Sequence, residues 1–399
     1  MLFAAVLSAW IQYAADGKPH ARALVTQSCP SLSYDGGSTP MRQRAAAMTG
    51  FDETVCEAIV PPNATNVAVE NQRLPAPPQS VRTVVVFGDT GCRMKDDEQQ
   101  NCGDIADWPF PKIAQTIAAV HPDLLVHVGD YYYRENNCLS TMKECVNRWG
   151  DTSMSWNADW FAPGKPLFAA APLILVRGNH EDCQRGGPAW FRYLDPGDAT
   201  AQCESRLTDG VNPWAVTFAG LQIVVTDTAA DPSDSQPDPN RITYYQGSFS
   251  KARDLTATTS GERWLVTHRP PYANTNQTLA LLATPGALAP FSVVLAGHVH
   301  DFEAINLTGY PPLIVNGESG DDLDDAGSTA KYIGFQKTPG TAKAGGRAIY
   351  PFAAPAPYAS KQFGFAVYTK SATGWAISLR DADGIERRAC TLAAGTVSC

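Results

Sequence analysis

The chain has 399 residues, 44% of them hydrophobic, enough for one large domain plus a smaller one around a sizeable core. Its formal net charge is −9 and no run of Lys or Arg is long enough to track a phosphodiester backbone, so nucleic-acid binding is not expected. Beyond the N-terminus no stretch approaches the ~20 apolar residues of a membrane span, so none is expected.

Met1–Ala9 is apolar and fits either the remnant of a leader peptide's hydrophobic region or the start of a strand. It lacks a basic n-region, and Trp10–Tyr13 reads equally well as a strand. Ala23–Thr26, Val55–Val60 and Val67–Val69 are further short runs separated by turn residues, which predicts a small β-rich domain over residues 1–75. Leu74-Pro75-Ala76-Pro77-Pro78 is a stiff linker, and a larger domain is expected over 81–399.

After the linker the pattern changes. Val84–Phe87, Leu124–Val128, Leu173–Val176, Leu265–Thr267 and Val293–Ala296 are continuous apolar runs, the signature of strands covered on both faces. Ile113, Ile117 and Val120 recur at helical spacing between the first two, which predicts a β–α–β unit. Leu221–Thr226 and Leu313–Val315 extend the sheets, and Phe363–Thr369 and Trp375–Leu379 read as closing antiparallel strands. Residues 229–262 and 320–360 are polar or Gly/Ala/Pro-rich and read as long loops or lids.

Ten cysteines fall as sequential neighbours: 29/56, 92/102, 138/145, 183/203 and 390/399. Neighbour pairing is the simplest choice, although spacing does not determine connectivity, and reduced cytosolic thiols are the alternative. Five local disulfides would place the chain in an oxidising compartment, exported to a periplasm or beyond the cell.

Each of the five core runs is followed by a polar cluster: Gly88-Asp89-Thr90-Gly91, Gly129-Asp130-Tyr131-Tyr132-Tyr133, Gly178-Asn179-His180-Glu181, His268, and Gly297-His298-Val299-His300. Side chains just past the carboxyl ends of strands converge on one crevice in open α/β sheets. Glycine ahead of the acidic or amide residue lets the backbone turn sharply there. Asp, Asn and His in one crevice form a hard-to-borderline ligand set, and shared carboxylates can hold two ions ~3.5–4 Å apart. A lone Gly-Asp is only a common turn; the ordered series of five is specific.

That series resembles the calcineurin-like metallophosphoesterases over residues of about 81–320. Their first motif ends in a ligand His, where this chain has Gly91, while Tyr133 stands where the purple acid phosphatases place a metal-binding tyrosinate. The resemblance therefore favours that branch. It implies an α/β (α+β) fold, a four-layer sandwich of two mixed β-sheets flanked by helices behind the small N-terminal β-rich domain. It implies Asp89, Tyr133 and His300 around Fe(III), Asn179, His268 and His298 around divalent Zn, Fe or Mn, and Asp130 bridging both. The expected activity is phosphate-monoester hydrolysis of a small phosphorylated substrate, through in-line attack of a metal-bound hydroxide. His180 would be the catalytic acid or transition-state stabiliser, and Asn179, His180 and Arg269 would meet the substrate. A phosphodiesterase or nucleotidase on the same fold and an inactive metal-binding module are the competing readings.

Several side chains carry a plainer reading. His127 lies inside an apolar run and reads as a core histidine. Arg269 stands where some purple acid phosphatases carry further substrate-contacting histidines; it suits a phosphate oxygen or an ordinary surface position. Of Tyr131 and Tyr132, one can pack and the other line the cleft. Asp301 and Glu303 suit either histidine-orienting partners or exposed loop carboxylates. Asp321, Asp322, Asp324 and Asp325 read as a solvated acidic loop, and a tuning role for Glu181 toward His180 stays open. Asn63, Asn276 and Asn306 begin glycosylation sequons, which arise readily by chance.

Overall fold

A computed structural model describes residues 6–95, 98–145, 148–197, 203, 211–230, 239–257, 260–272, 279, 282–326 and 358–399. Thr83–Phe87, Leu124–His127 and Leu173–Leu175 are neighbouring parallel strands, with Val84 opposite Leu124 and Leu125 opposite Leu173. Their side chains alternate between two buried layers: Val84 and Val86 face the second sheet, Val85 and Phe87 the helices. Both layers exclude water, which is why these segments are continuously apolar. The helix Phe110–Ala119 is the crossover between the first two strands, its first turn favoured by a proline and its Ile113 and Ile117 buried. The β–α–β unit is thus as expected.

These strands belong to an eleven-stranded mixed sheet. Its order is Thr396–Ser398, Glu386–Ala393, Gly374–Asp381, Gly364–Lys370, Thr83–Phe87, Leu124–His127, Leu173–Leu175, Val6–Tyr13, Pro19–Val25, Thr54–Ile59 and Arg42–Ala45. A seven-stranded mixed sheet runs Trp214–Phe218, Leu221–Val225, Glu262–Val266, Val293–Ala296, Leu313–Asn316, Phe302–Ile305 and Tyr358–Ser360. One apolar layer, including Val84, Val126, Ile223, Trp264 and Leu295, joins the two sheets face to face. Helices cover both outer faces, through Ile113, Trp156, Phe168 and Trp190 on one side and Tyr245, Phe249 and Leu288 on the other. This helix–sheet–sheet–helix stack is the four-layer sandwich the resemblance implies.

The N-terminal region is β-rich, and four of its strands are hydrogen-bonded into the large sheet. Val6–Tyr13 pairs in parallel with Leu173–Leu175 and antiparallel with Pro19–Val25. A separate four-stranded sheet, Gly37–Pro40, Ser31–Tyr34, Val67–Val69 and Gln72–Leu74, closes over a core of Ile11, Ala23, Leu32, Val67 and Leu74. Two buried arginines stitch this region to the helix Gly187–Tyr193. Arg22 donates to the carbonyls of Tyr193 and Asp195, and Arg44 to those of Phe191, Arg192, Asp195 and Gly197. Guanidinium donors suit carbonyls left open at a helix C-terminus.

Other expectations change. Within the polar segment 229–262, expected as a loop, Pro239–Asp254 is a helix. Its buried residues Tyr245, Ser248, Phe249 and Ala252 form one narrow stripe, too sparse to stand out in so polar a run. Most of the second expected lid, residues 327–357, lies outside the described residues, as does the Asn276 sequon. Asn306 is buried, its amide donating to and its carbonyl accepting from Val397, so its side chain is already committed. All ten cysteines pair as sequential neighbours. Three of these bridges start close after donor motifs, at Cys92, Cys138 and Cys183.

Candidate metal centre

The polar clusters leave the carboxyl ends of five strands. Asp89, Asp130 and Asn179 follow three neighbouring parallel strands of the large sheet, and His268 and His298 follow two of the other. The sandwich brings those two rims together. Asp130, His268 and His298 have ligand atoms within 4.8 Å of one another, and so do Asp89, Asp130 and His300. Asp130 belongs to both groups. The remaining two donors complete them: the Tyr133 hydroxyl lies 2.8 Å from Asp130 Oδ2, 3.0 Å from His300 Nε2 and 3.4 Å from Asp89 Oδ1, and Asn179 Oδ1 lies 3.0 Å from His268 Nε2.

Backbone strain marks the same place. Asp89, Asp130 and His298 have φ of 54°, 58° and 71°. A left-handed conformation costs a non-glycine residue about 1–2 kcal/mol. At Asp89 and His298 the sharp turn thus falls on the donor itself while the glycine before it supplies room, a Cβ on Gly297 lying 2.5 Å from Asp89 Oδ2; at Asp130 the preceding Gly129 shares the turn, with φ 108°. Gly91 is explained likewise, since a Cβ there would lie 2.7 Å from the Tyr133 ring. A histidine at 91 would therefore not fit beside this placement of Tyr133, so the two departures from the motif are sterically compatible with each other.

Outer contacts orient the rings. His268 Nδ1 donates to the Val128 carbonyl at 2.8 Å and His300 Nδ1 to the Asp322 carbonyl at 2.8 Å, leaving both Nε2 atoms aimed inward. Asp324 accepts the His300 backbone N–H, and Asp321, fully buried, is paired twice to Arg93. The acidic segment read as a solvated loop is therefore, at Asp321, part of the wall behind His300. Asp301 and Glu303 are buried rather than exposed. Tyr131 and Tyr132 both pack, donating to the carbonyls of Val176 and Arg134. His127 is the expected core histidine, bonded to Thr90 Oγ1 and stacked on Tyr131.

Glu181 does not touch His180 in the way a tuning partner would. It accepts backbone N–H bonds from Asp130, Tyr131, Tyr132 and Gly178 at 2.8–3.1 Å, and so shapes the turn that carries Asp130 and Tyr133. The group on His180 Nδ1 is Glu135, 2.5 Å away and also bonded by Arg185. Glu135 was missed because it lies past the motif; the only signal was a carboxylate two residues beyond Tyr133. Arg269, for which a surface position was one reading, is 5% exposed and places Nη1 2.6 Å from His298 Nε2.

Electrostatics show what the donors lack. Burial, then Asp130, Asp321 and Asp89, push the Tyr133 phenol well above its ordinary pKa. Burial also raises Asp89, whereas His268 and His180 overcome the burial of Asp130 and hold it ionised. Burial lowers His300, yet Asp321 and Asp89 outweigh it and carry the imidazole up to about 10. Two carboxylates and a phenol crowded together out of water fit a strong local cation, so the residues present suit bound metal.

The calcineurin-like phosphoesterase family model matches residues 82–302. A purple acid phosphatase, PPD1, from yellow lupin (Lupinus luteus) seeds superposes with a TM-score of 0.57 at 13% identity, covering 96% of this chain and 73% of its own. PhoD superposes with a TM-score of 0.58 at 11% identity, covering 98% and 91%. These two share the fold. No curated protein sequence matches significantly. The matched region spans more than half of the chain and contains every donor motif, and the chain belongs to the calcineurin-like phosphoesterase family.

Proposed function

We propose that the chain is an exported phosphatase of the purple acid phosphatase type, hydrolysing phosphate monoesters at two metal ions. The observation that carries this reading is Asp130, shared by two donor groups of which one includes a phenol. Asp89, Tyr133 and His300 would hold Fe(III), Asn179, His268 and His298 a divalent zinc, iron or manganese ion, and Asp130 would contact both. Bound ions would neutralise charge on the phosphoryl oxygens and lower the pKa of the attacking water. The five disulfides are compatible with export.

The chain's own residues supply the rest. Asn179, His180, Arg269, His298 and His300 line one cavity of about 340 Å³, room for a small substrate. Glu135 fixes the His180 ring through Nδ1, leaving Nε2 as the atom that can give a proton to the leaving oxygen. Burial holds His180 down near 4 against the pull of Asp130 and Glu135, so its donating form belongs to acidic solution. Asp130 Oδ1 accepts the His180 N–H at 2.8 Å, which ties the proton donor to the bridging carboxylate.

Nitrophenyl phosphate should turn over faster than bis-nitrophenyl phosphate; the reverse order would make the enzyme a diesterase. In the same assay His180→Ala should retain both ions and slow the monoester by ~10²–10⁴-fold. Unchanged turnover would remove His180 from the chemistry. Iron has its own test. Tyr133→Phe should abolish the visible phenolate-to-iron absorption of the oxidised protein, and a native enzyme that is colourless when oxidised yet active would refute the iron assignment.

A further inference from the structure

We propose that the leaving group of the natural substrate carries its own negative charge, as a second phosphate or a carboxylate, and that Lys95 and Arg241 bind it. This rests on the phosphatase reading above and goes on to the substrate's other half. Five cationic side chains line the cavity: Arg93, Lys95, Arg185, Arg241 and Arg269. They come from four separate places, namely the turn and short strand after Asp89, the segment after His180, the helix Pro239–Asp254, and the residue after His268.

A single phosphoryl group needs few of them. Asn179, His180 and the donor cluster already surround it, and Arg269 stands against His298 beside them. Arg93 is engaged by Asp321 and Glu98, and Arg185 by Glu135 and Asp182, so these two serve the wall as well as the cavity. Asp130 and Asp182 are the carboxylates among the described lining residues. Asp130 belongs to both donor groups, and Asp182 is held by Arg185. Among the described lining residues, cationic heads therefore outnumber carboxylates.

Lys95 and Arg241 add to this charge from elements that carry none of the seven donors. Arg241 in particular reaches the cavity from a helix on the outer face of the smaller sheet, outside the donor-bearing turns. Charge placed around a concave site selects for ligands of opposite charge. A guanidinium also matches a phosphate or carboxylate in shape. In the reaction, water oxygen forms the new bond to phosphorus and the bond from phosphorus to the leaving oxygen breaks. One proton from the water ends on that leaving oxygen, so the released half keeps its second anionic group against Lys95 and Arg241.

Three esters on one three-carbon skeleton test this: glycerol 3-phosphate, 3-phosphoglycerate and glycerol 1,3-bisphosphate, which end in a hydroxyl, a carboxylate and a second phosphate. With the metal-loaded full chain, kcat/KM for at least one charged ester should exceed that for glycerol 3-phosphate by ~10–100-fold, as expected for one charge-assisted contact. The carboxylate-to-phosphate ratio identifies which anion is preferred. In the Lys95→Ala/Arg241→Ala double variant the charged-to-neutral ratio should fall toward 1, and 0.5 M NaCl should depress it in the wild type. A merely structural role would lower all three rates together and leave the ratio intact. Equal kcat/KM on the three esters, or a ratio indifferent to the double substitution, overturns the proposal while leaving the phosphatase reading in place. Hydrolysis of none of them, with nitrophenyl phosphate still turned over, overturns the proposal alone; no turnover of nitrophenyl phosphate either overturns both.

Discussion

Asp130→Asn is expected to yield a folded protein that retains neither metal ion and loses essentially all hydrolysis of nitrophenyl phosphate. The loss should be on the order of 10⁶-fold, the low end of enzymic rate accelerations, because both donor groups share this one carboxylate. Fold retention follows from local chemistry. Asparagine matches the size of aspartate and tolerates the left-handed backbone at φ 58°. Its carbonyl can still accept the His180 N–H that Asp130 Oδ1 takes at 2.8 Å. What it lacks is the charge. Metal content after dialysis, alongside thermal unfolding of the metal-free forms, separates these effects. A variant holding two ions per chain with near-native turnover would show that Asp130 bridges nothing.

Glu181→Gln should be the most damaging size-conserving change away from the proposed ligands. The carboxylate accepts four buried backbone N–H groups, two on each oxygen. An amide has one oxygen, so its NH₂ would face two of those donors. At about 1–3 kcal/mol for each buried polar group left unmet, the cost is about 2–6 kcal/mol. For a chain of 399 residues that corresponds to a fall of roughly 2–7 °C in Tm. Turnover should fall as well, because the four N–H groups belong to the turns that aim Asp130, Tyr133 and Asn179. A stable Glu181→Gln protein with native kcat would mean that the turn is held by its own packing.

The two substitutions probe different parts of one design. Three donors sit in strained backbone, and strain persists only where surrounding contacts over-determine it. Here those contacts are the Glu181 bonds, the disulfides that begin at Cys92, Cys138 and Cys183, and the close approach of Gly178 to Asp130. Cross-links and hydrogen bonds thus hold the donor turns in place, where buried acidic groups lie close together.

The core strands and the positions of the donor-bearing turns were legible in the residues alone, and the resemblance carried by those motifs supplied the family and the four-layer architecture. Short continuous apolar runs followed by Asp, Asn or His report strand ends directly, since burial on both faces and the turn chemistry are local properties of the chain. Neighbour pairing of the cysteines was the simplest choice and is the observed one, but spacing alone did not determine it. Other features depended on contacts between segments far apart in sequence. The N-terminal strands entered the catalytic sheet because Val6–Tyr13 found an open edge beside Leu173–Leu175, which no local pattern announces. Pro239–Asp254 became a helix through one thin apolar stripe, Asp321 left solvent because Arg93 was there to meet it, and Glu135 met His180 across 45 residues of chain. Periodicity and motif spacing describe a segment's own preferences, whereas the partner of a buried charge is chosen only when the sheets stack and distant side chains are forced out of water together.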